Sequence, residues 1–326
     1  MPAKKNGLGG LFMSKSESSS VSATIILVII FSLGSSSFLS QYNVFNVLRT
    51  SSENYFIAMS QAIVIIVGGM NVSIGGIGGL AAITTGFAIQ VLGFNSLIAV
   101  ALSFLVGATA GLLNGLLITK LKINAFIVTL ATSFIFVGIV KGSTAGYPFS
   151  QIPPEFQYIA KTDIFGFIPL IFVIMIFFLI FFSIFFKYSV FGRKLLATGG
   201  SIEAAKMSGI NTDRMIIAAN VISGVIATFV GVFSVAKMRA ASPLIGDDWM
   251  ITSFAVAVIG GTTLSGGKIT MVGLFASCIL ITIIKNGLIM MKANVYYLQT
   301  FLGLIIIAAV ILEVIRAKYN ARNMRV

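Results

Sequence analysis

The chain has no histidine among its 326 residues, which removes the commonest general base, metal ligand and proton relay together. Its single cysteine, Cys278, excludes an intrachain disulfide, and its apolar surroundings assign it to packing. Charged residues are only 10% of the chain against 57% hydrophobic ones, too little polar surface to coat a soluble globule. The mean hydropathy of +1.04 says the same. All nine acidic residues (Glu17, Glu53, Glu155, Asp163, Glu203, Asp213, Asp247, Asp248 and Glu313) are expected outside the centres of the apolar runs. Proton- or sodium-driven carriers usually hold an ionisable group or a dedicated ion site near the bilayer midplane, so its absence points to a neutral, or at least not strongly charged, solute and an external source of energy.

The chain does contain apolar runs of about the ~20 residues that a membrane-spanning helix needs. Set against turn signals, they predict an all-α polytopic bundle of ten spans near 22–40, 54–70, 72–93, 96–118, 125–141, 166–187, 214–236, 250–263, 268–288 and 296–315. Residues 1–326 then form one transmembrane domain, with an N-terminal tail (1–21), a polar loop (188–213) and a C-terminal tail (316–326) on one side of the membrane. The first span is expected to remain uncleaved, since its apolar run is long and no A-x-A site follows it.

The net charge of +13 is topological, because Lys and Arg cluster beside apolar runs rather than on an amphipathic face. A nucleic-acid partner is therefore not expected. With the N-terminus inside, 15 of the 22 basic residues fall on the cytoplasmic side and 7 outside, so both termini are expected in the cytoplasm. Lys285 and Lys292 are the exceptions that fit least well. The longest outer segment, 142–165, is stiffened by Pro148, Pro153 and Pro154 and reads either as a plain connector or as a platform for an extracytoplasmic partner.

Asn114-Gly115-Leu116 followed by Lys122-Ile123-Asn124-Ala125-Phe126 resembles Asn286-Gly287-Leu288 followed by Lys292-Ala293-Asn294-Val295-Tyr296. The two lie on opposite sides by this topology, as an inverted repeat requires, with chance similarity as the rival. A second echo, Gly68-Gly69-Met70-Asn71-Val72-Ser73 against Gly260-Gly261-Thr262-Thr263-Leu264-Ser265, falls on one side both times and does not fit such a repeat.

Polar residues at membrane depth serve either as hydrogen-bonding glue between helices or as the lining of a path for a sugar-like solute. Candidates for the path are Gly69, Asn71, Ser73, Asn114, Phe126, Thr129, Asn220 and Thr252, with Asn71 foremost because it sits at a glycine-rich break. Gly107, Gly111 and Gly115 share a helix face, as do Ser223, Ala227 and Gly231, and both sets read as close-packing seams.

The polar loop carries Phe191-Gly192-Arg193, Ala197-Thr198-Gly199-Gly200 and Glu203-Ala204-Ala205-Lys206-Met207-Ser208-Gly209. It is either a solvated basic loop or a short helix with small side chains that a partner's cleft accepts. Taken with the two glycine breaks, the Gly111–Gly115 and Phe126–Leu130 stretches and Ile259–Gly267, the chain resembles the permease subunits of carbohydrate-importing ATP-binding cassette transporters of the ribose, galactose and xylose type. The resemblance runs from about residue 60 to 315. It implies a pore of two permeases, identical or paralogous, in the bacterial cytoplasmic (inner) membrane. It also implies an ATPase docked on the loop and an extracytoplasmic solute-binding protein. Arg193, Gly200, Glu203, Ala204, Ala205 and Gly209 are implied to couple the pore to ATP hydrolysis. ATP is expected in the partner, since this chain lacks a G-x-x-x-x-G-K-[ST] loop, and the chain itself is expected to be neither an enzyme nor a cofactor carrier.

The chain departs from the family pattern in having Asn71 where Asp is usual, and Met250 and Thr252 where an acidic pair is usual, with Asp247 and Asp248 upstream. Ser201 stands where Asn is common. These changes leave the solute open. A monosaccharide such as ribose or galactose is favoured over a nucleoside, an autoinducer-like sugar derivative or an amino acid. A self-sufficient carrier or channel, or a structural scaffold, are the readings from other classes.

Overall fold

The computed structural model describes residues 15–292 except 165 and 167, and beyond them 294, 297, 300, 303, 304, 307 and 311. Most of the span expected at 296–315, the C-terminal tail and most of the N-terminal tail lie outside the described residues. The helices are α1 (Lys15–Gly34), α2 (Gln41–Ile65), α3 (Ile74–Gln90), α4 (Ser96–Lys120), α5 (Ala125–Thr144), α6 (Tyr158–Lys161), α7 (Leu170–Tyr188), α8 (Val190–Gly200), α9 (Ile202–Met207), α10 (Thr212–Met238), α11 (Trp249–Ile259) and α12 (Met271–Met290). A two-residue antiparallel pair, Asp163–Ile164 with Ile168–Pro169, precedes α7. The fold is an all-α membrane bundle, in which α4, α5, α7, α10 and α12 are long and apolar enough to cross a bilayer.

Small polar residues set several helix starts. Asn95, Asn124 and Asn211 each accept from a backbone N–H of the first turn through Oδ1, to Ile98, Phe126 and Arg214. Ser40 does the same for Asn43 and starts α2 at Gln41, well before the expected 54. Hydropathy misses this part because residues 41–53 are polar, yet the protein satisfies them internally. Asn43 exchanges two hydrogen bonds with Asn286, and Asn54 donates to Thr282 Oγ1. Every residue from Asn54 to Ile65 is buried, which makes α2 the axis of the bundle. The first apolar run is corrected in turn: its helix stops at Gly34, not at residue 40.

Two segments are interrupted. At about 1.5 Å per residue the 11-residue α11 is near 16 Å long, short of the ~30 Å hydrocarbon core, so 250–263 is not a continuous span. The loop ahead of it descends along the glycine face of α3 instead. Ala241 lies against Gly86, the Ile245 carbonyl against Gly79, and Gly246 against Gly75, where side chains would block the approach. Similarly, α2 ends at Ile65 and α3 begins at Ile74, with the first glycine break between them.

The expected seams pack as glycine faces do. Gly107, Gly111 and Gly115 of α4 lie against Gly224 and Thr228, Asn220, and Ile217 of α10, while Gly231 meets Gly78. The two resembling turns also share a local geometry: Lys122 and Lys292 both take left-handed backbone, with φ of 54° and 58°.

Among the described residues, three ion pairs lie toward the end of the bundle away from α8. Arg49 meets Asp163 at 2.8 Å, Lys237 meets Glu53 at 2.7 Å, and Lys285 meets Asp248 at 3.1 Å. The last pair explains how Lys285 is accommodated. Glu53, expected just ahead of a span starting at 54 and so outside a span centre, lies instead in the middle of α2. Its partner is the penultimate residue of α10, so the charge is neutralised near a helix end.

Candidate functional site: a loop wedged between two helix breaks

The polar loop folds as α8 and α9. Ser189 caps α8 by accepting from Gly192 N–H at 2.8 Å, and Arg193 reaches back to donate to the Tyr188 carbonyl at 2.7 Å. Arg193 thus closes the end of α7. Ser201 caps α9 through Ala204 N–H at 3.3 Å, so a serine performs the capping that an asparagine would perform there. Gly209 ends α9 with φ +75°, where its N–H donates to Lys206 O and Ile210 N–H donates to Ala205 O. Ala205 is buried in the chain's own body. Ile202, Glu203, Ala204, Lys206 and Met207 face outward, Met207 at 90% exposure.

The end of α8 is wedged between the two breaks. A Cβ on Gly199 would fall on the Ile66 carbonyl oxygen and beside Gly267 N, and one on Gly266 would meet Gly199 O and Gly68 N. Gly267 N–H donates to Ile66 O at 2.9 Å, joining the breaks directly. The echo between these glycine-rich elements is therefore one of position: both meet the same helix end. Gly200 contributes its backbone, which a side chain on Gly267 would strike, but a Cβ of its own would meet open space. The steric requirement falls on Gly199, which sequence reasoning passed over. The adjacent Thr198-Gly199-Gly200 pattern was its only signal.

The first break is held by side chains. Asn71 Nδ2 donates to Ser223 Oγ at 3.0 Å, and Ser223 Oγ lies 2.9 Å from Ser60 Oγ. Asn71 Oδ1 accepts from Ser73 N–H at 3.0 Å and Ser73 Oγ at 2.7 Å, and Asn114 Nδ2 donates to Ser73 Oγ at 2.8 Å. Thr129 Oγ1 accepts from Val72 N–H at 3.1 Å. Irregular backbone inside a membrane protein needs such partners: Thr129 of α5 bonds the break's backbone, Ser223 of α10 and Asn114 of α4 hold its side chains, and Ser60 of α2 backs Ser223.

Asn71, Ser73, Asn114 and Thr129 are thus brought into one network beside Gly69. Asn220 and Thr252 stand apart from it. Asn220 donates to Ile216 O within α10, at the α4 seam, and Thr252 Oγ1 accepts from Lys285 Nζ at 3.0 Å. Phe126 joins Asn71 on the wall of a cavity of about 270 Å3 that Gln61, Met70, Val72, Met250, Ile251 and Phe254 complete. Sequence reasoning missed Gln61, which carries no motif.

A polytopic bundle with a solute-sized cavity beside a helix break, and a protruding helical loop bound to that break, defines a membrane permease subunit. Residues 43–310 match the family described as "Branched-chain amino acid transport system / permease component", and the chain belongs to it. It is 33% identical to the ribose import permease protein RbsC of Bacillus subtilis over 88% of this chain and 89% of that one. It is 32% identical to the D-allose transport system permease protein AlsC of Escherichia coli over 89% of this chain and 88% of that one. It is 29% identical to the Escherichia coli ribose import permease protein RbsC over 91% of this chain and 93% of that one. No solved structure matches. The chain is a transporter subunit of the bacterial cytoplasmic (inner) membrane and not an enzyme.

Proposed function

We propose that this chain forms the translocation path of an ATP-driven importer for a monosaccharide of the ribose or allose kind. An ATPase subunit docks on α8–α9 in the cytoplasm, binding the ATP that this chain does not. An extracytoplasmic binding protein delivers the sugar to the end that bears the ion pairs, and a second permease copy or a paralogue completes the pore. Ten membrane segments, with the one at 250–263 interrupted, and both termini in the cytoplasm fit this arrangement. The matching turns at Lys122 and Lys292 fit an inverted repeat within a single domain.

The observation that carries the reading is the wedge at Gly199. A force on α9 passes through α8 to both breaks, and the first break holds Asn71 on the cavity wall. Arg193, Gly200, Glu203, Ala204, Ala205 and Gly209 build or present the loop. Gly69, Asn71, Ser73, Asn114, Phe126 and Thr129 build the break and the cavity edge, with Asn220 and Thr252 flanking them.

The family description names branched-chain amino acids, but the described residues lining the cavity carry no charge to meet an ammonium or a carboxylate. That favours a neutral solute, in keeping with relatives named for ribose and allose. Proteoliposomes holding the chain with its ATPase and binding protein should take up radiolabelled D-ribose or D-allose only when ATP is supplied. Uptake by the chain alone would overturn the reading.

A further inference from the structure

The loop that descends along α3 carries two consecutive carboxylates, and they line different cavities. Asp248 lines one of about 280 Å3 with Glu53 and Lys237, and its carboxylate is taken up by Lys285 at 3.1 Å. Asp247 lines another of about 130 Å3, together with Ser133 of α5 and the glycine face of α3. Asp247 is exposed, and among the described residues its carboxylate has neither an ion pair nor a hydrogen bond. Ser133 is half-buried, and its hydroxyl is likewise without a partner. The other side chains on this wall are apolar. Two accessible polar groups from separate elements, both unengaged, thus share one cavity.

This cavity adjoins the 270 Å3 one, because Val72 and Met250 line both. Together they reach the ~300–1,000 Å3 typical of small-molecule sites. Packing fixes the loop beside them: Gly246 lies against Gly75, and the Ile245 carbonyl against Gly79. Asp247 follows directly, so its place at the cavity is set by the glycine face.

Resting on the sugar-permease reading above, we propose that Asp247 and Ser133 form an outer contact site for the monosaccharide on its way to the 270 Å3 cavity. A carboxylate offers two acceptor oxygens and no donor, so it takes two neighbouring hydroxyls of a polyol, in bonds that its charge strengthens. The Ser133 hydroxyl donates to, or accepts from, a third. Among the described residues no Lys or Arg lines either cavity, so an amino acid would find a partner for its ammonium and none for its carboxylate. A polyol needs no cation.

Neither side chain has a partner within the chain, so Asp247→Asn and Ser133→Ala should both unfold in detergent near the temperature of the unaltered chain. In proteoliposomes holding the complete transporter, Asp247→Asn should lower uptake of radiolabelled D-ribose and D-allose about tenfold, the factor that ~1.4 kcal/mol gives. Ser133→Ala should lower it about threefold, as loss of one neutral hydrogen bond does. Association of the sugar-loaded binding protein with the transporter, followed by surface plasmon resonance, should not change. Uptake at the unaltered rate in either variant overturns the site. A loss of association that matches the loss of uptake also overturns it, since Asp247 would then dock the binding protein. A clearly lowered unfolding temperature overturns it too, because these side chains would then be holding the fold. If the unaltered transporter imports neither sugar, the sugar reading fails and this proposal falls with it. If it imports them and both variants do so equally well, only this site fails.

Discussion

Gly267 donates its backbone N–H to the carbonyl oxygen of Ile66 at 2.9 Å, and the bond lies where a side chain on Gly199 would have to go. Two helix breaks far apart in sequence are thereby stitched together, with the end of the protruding loop as the third member of the joint.

The break itself depends on Asn71. Asn71→Leu removes one donor and a twofold acceptor from a buried network, and should cost on the order of 2–4 kcal/mol, seen as a lower unfolding temperature in detergent. Asn71→Asp keeps the acceptor for Ser73, while the Ser223 hydroxyl can turn to donate. It should retain most of that stability. Equal losses for both variants would contradict the network as drawn.

Gly209 has a φ of +75° with open space around it, so the constraint there is conformational and not steric. Gly209→Val should strain the end of α9 by about 1–2 kcal/mol or more and abolish uptake, while the chain still inserts into the membrane. Gly209→Asn, which tolerates left-handed backbone, should retain much of the uptake. Fluorescence-detected size exclusion and transport assays on the two variants decide this.

Met207 is the most exposed apolar side chain of α9, at 90% exposure. A partner's cleft that receives α9 would bury it, so Met207→Asp should weaken association with the ATPase at least about tenfold, ~1.4 kcal/mol, in a pull-down or calorimetric titration. Unchanged association would remove Met207 from the docking surface.

Much of this architecture is legible in the sequence because lipid enforces it. Long apolar runs such as 96–118 and 125–141 correspond to α4 and α5 closely, since a lipid-facing helix must be apolar along its length. The reading weakens where protein takes the place of lipid. The first half of α2 is polar because Asn286, Thr282 and its own backbone satisfy it. The shortness of α11 is invisible to hydropathy, because the descending loop is matched to a glycine face on another helix. At the site, glycine breaks flagged Asn71, and N–G pairs flagged Asn114. Gln61 could not be found that way, since what singles it out is its place on the cavity wall, which is a tertiary fact. Gly199 and Gly200 look alike in sequence, because only packing distinguishes adjacent glycines.

The most direct test of the account compares Gly199→Ala with the unaltered chain in proteoliposomes containing the whole transporter, measuring ATP hydrolysis and sugar uptake together. An added methyl group would collide with Ile66 O and push the loop off the breaks. ATP hydrolysis should therefore continue while uptake falls at least about tenfold, and Gly200→Ala should leave uptake near its original rate. Gly199→Ala importing sugar at the unaltered rate per ATP hydrolysed would contradict transmission through this joint.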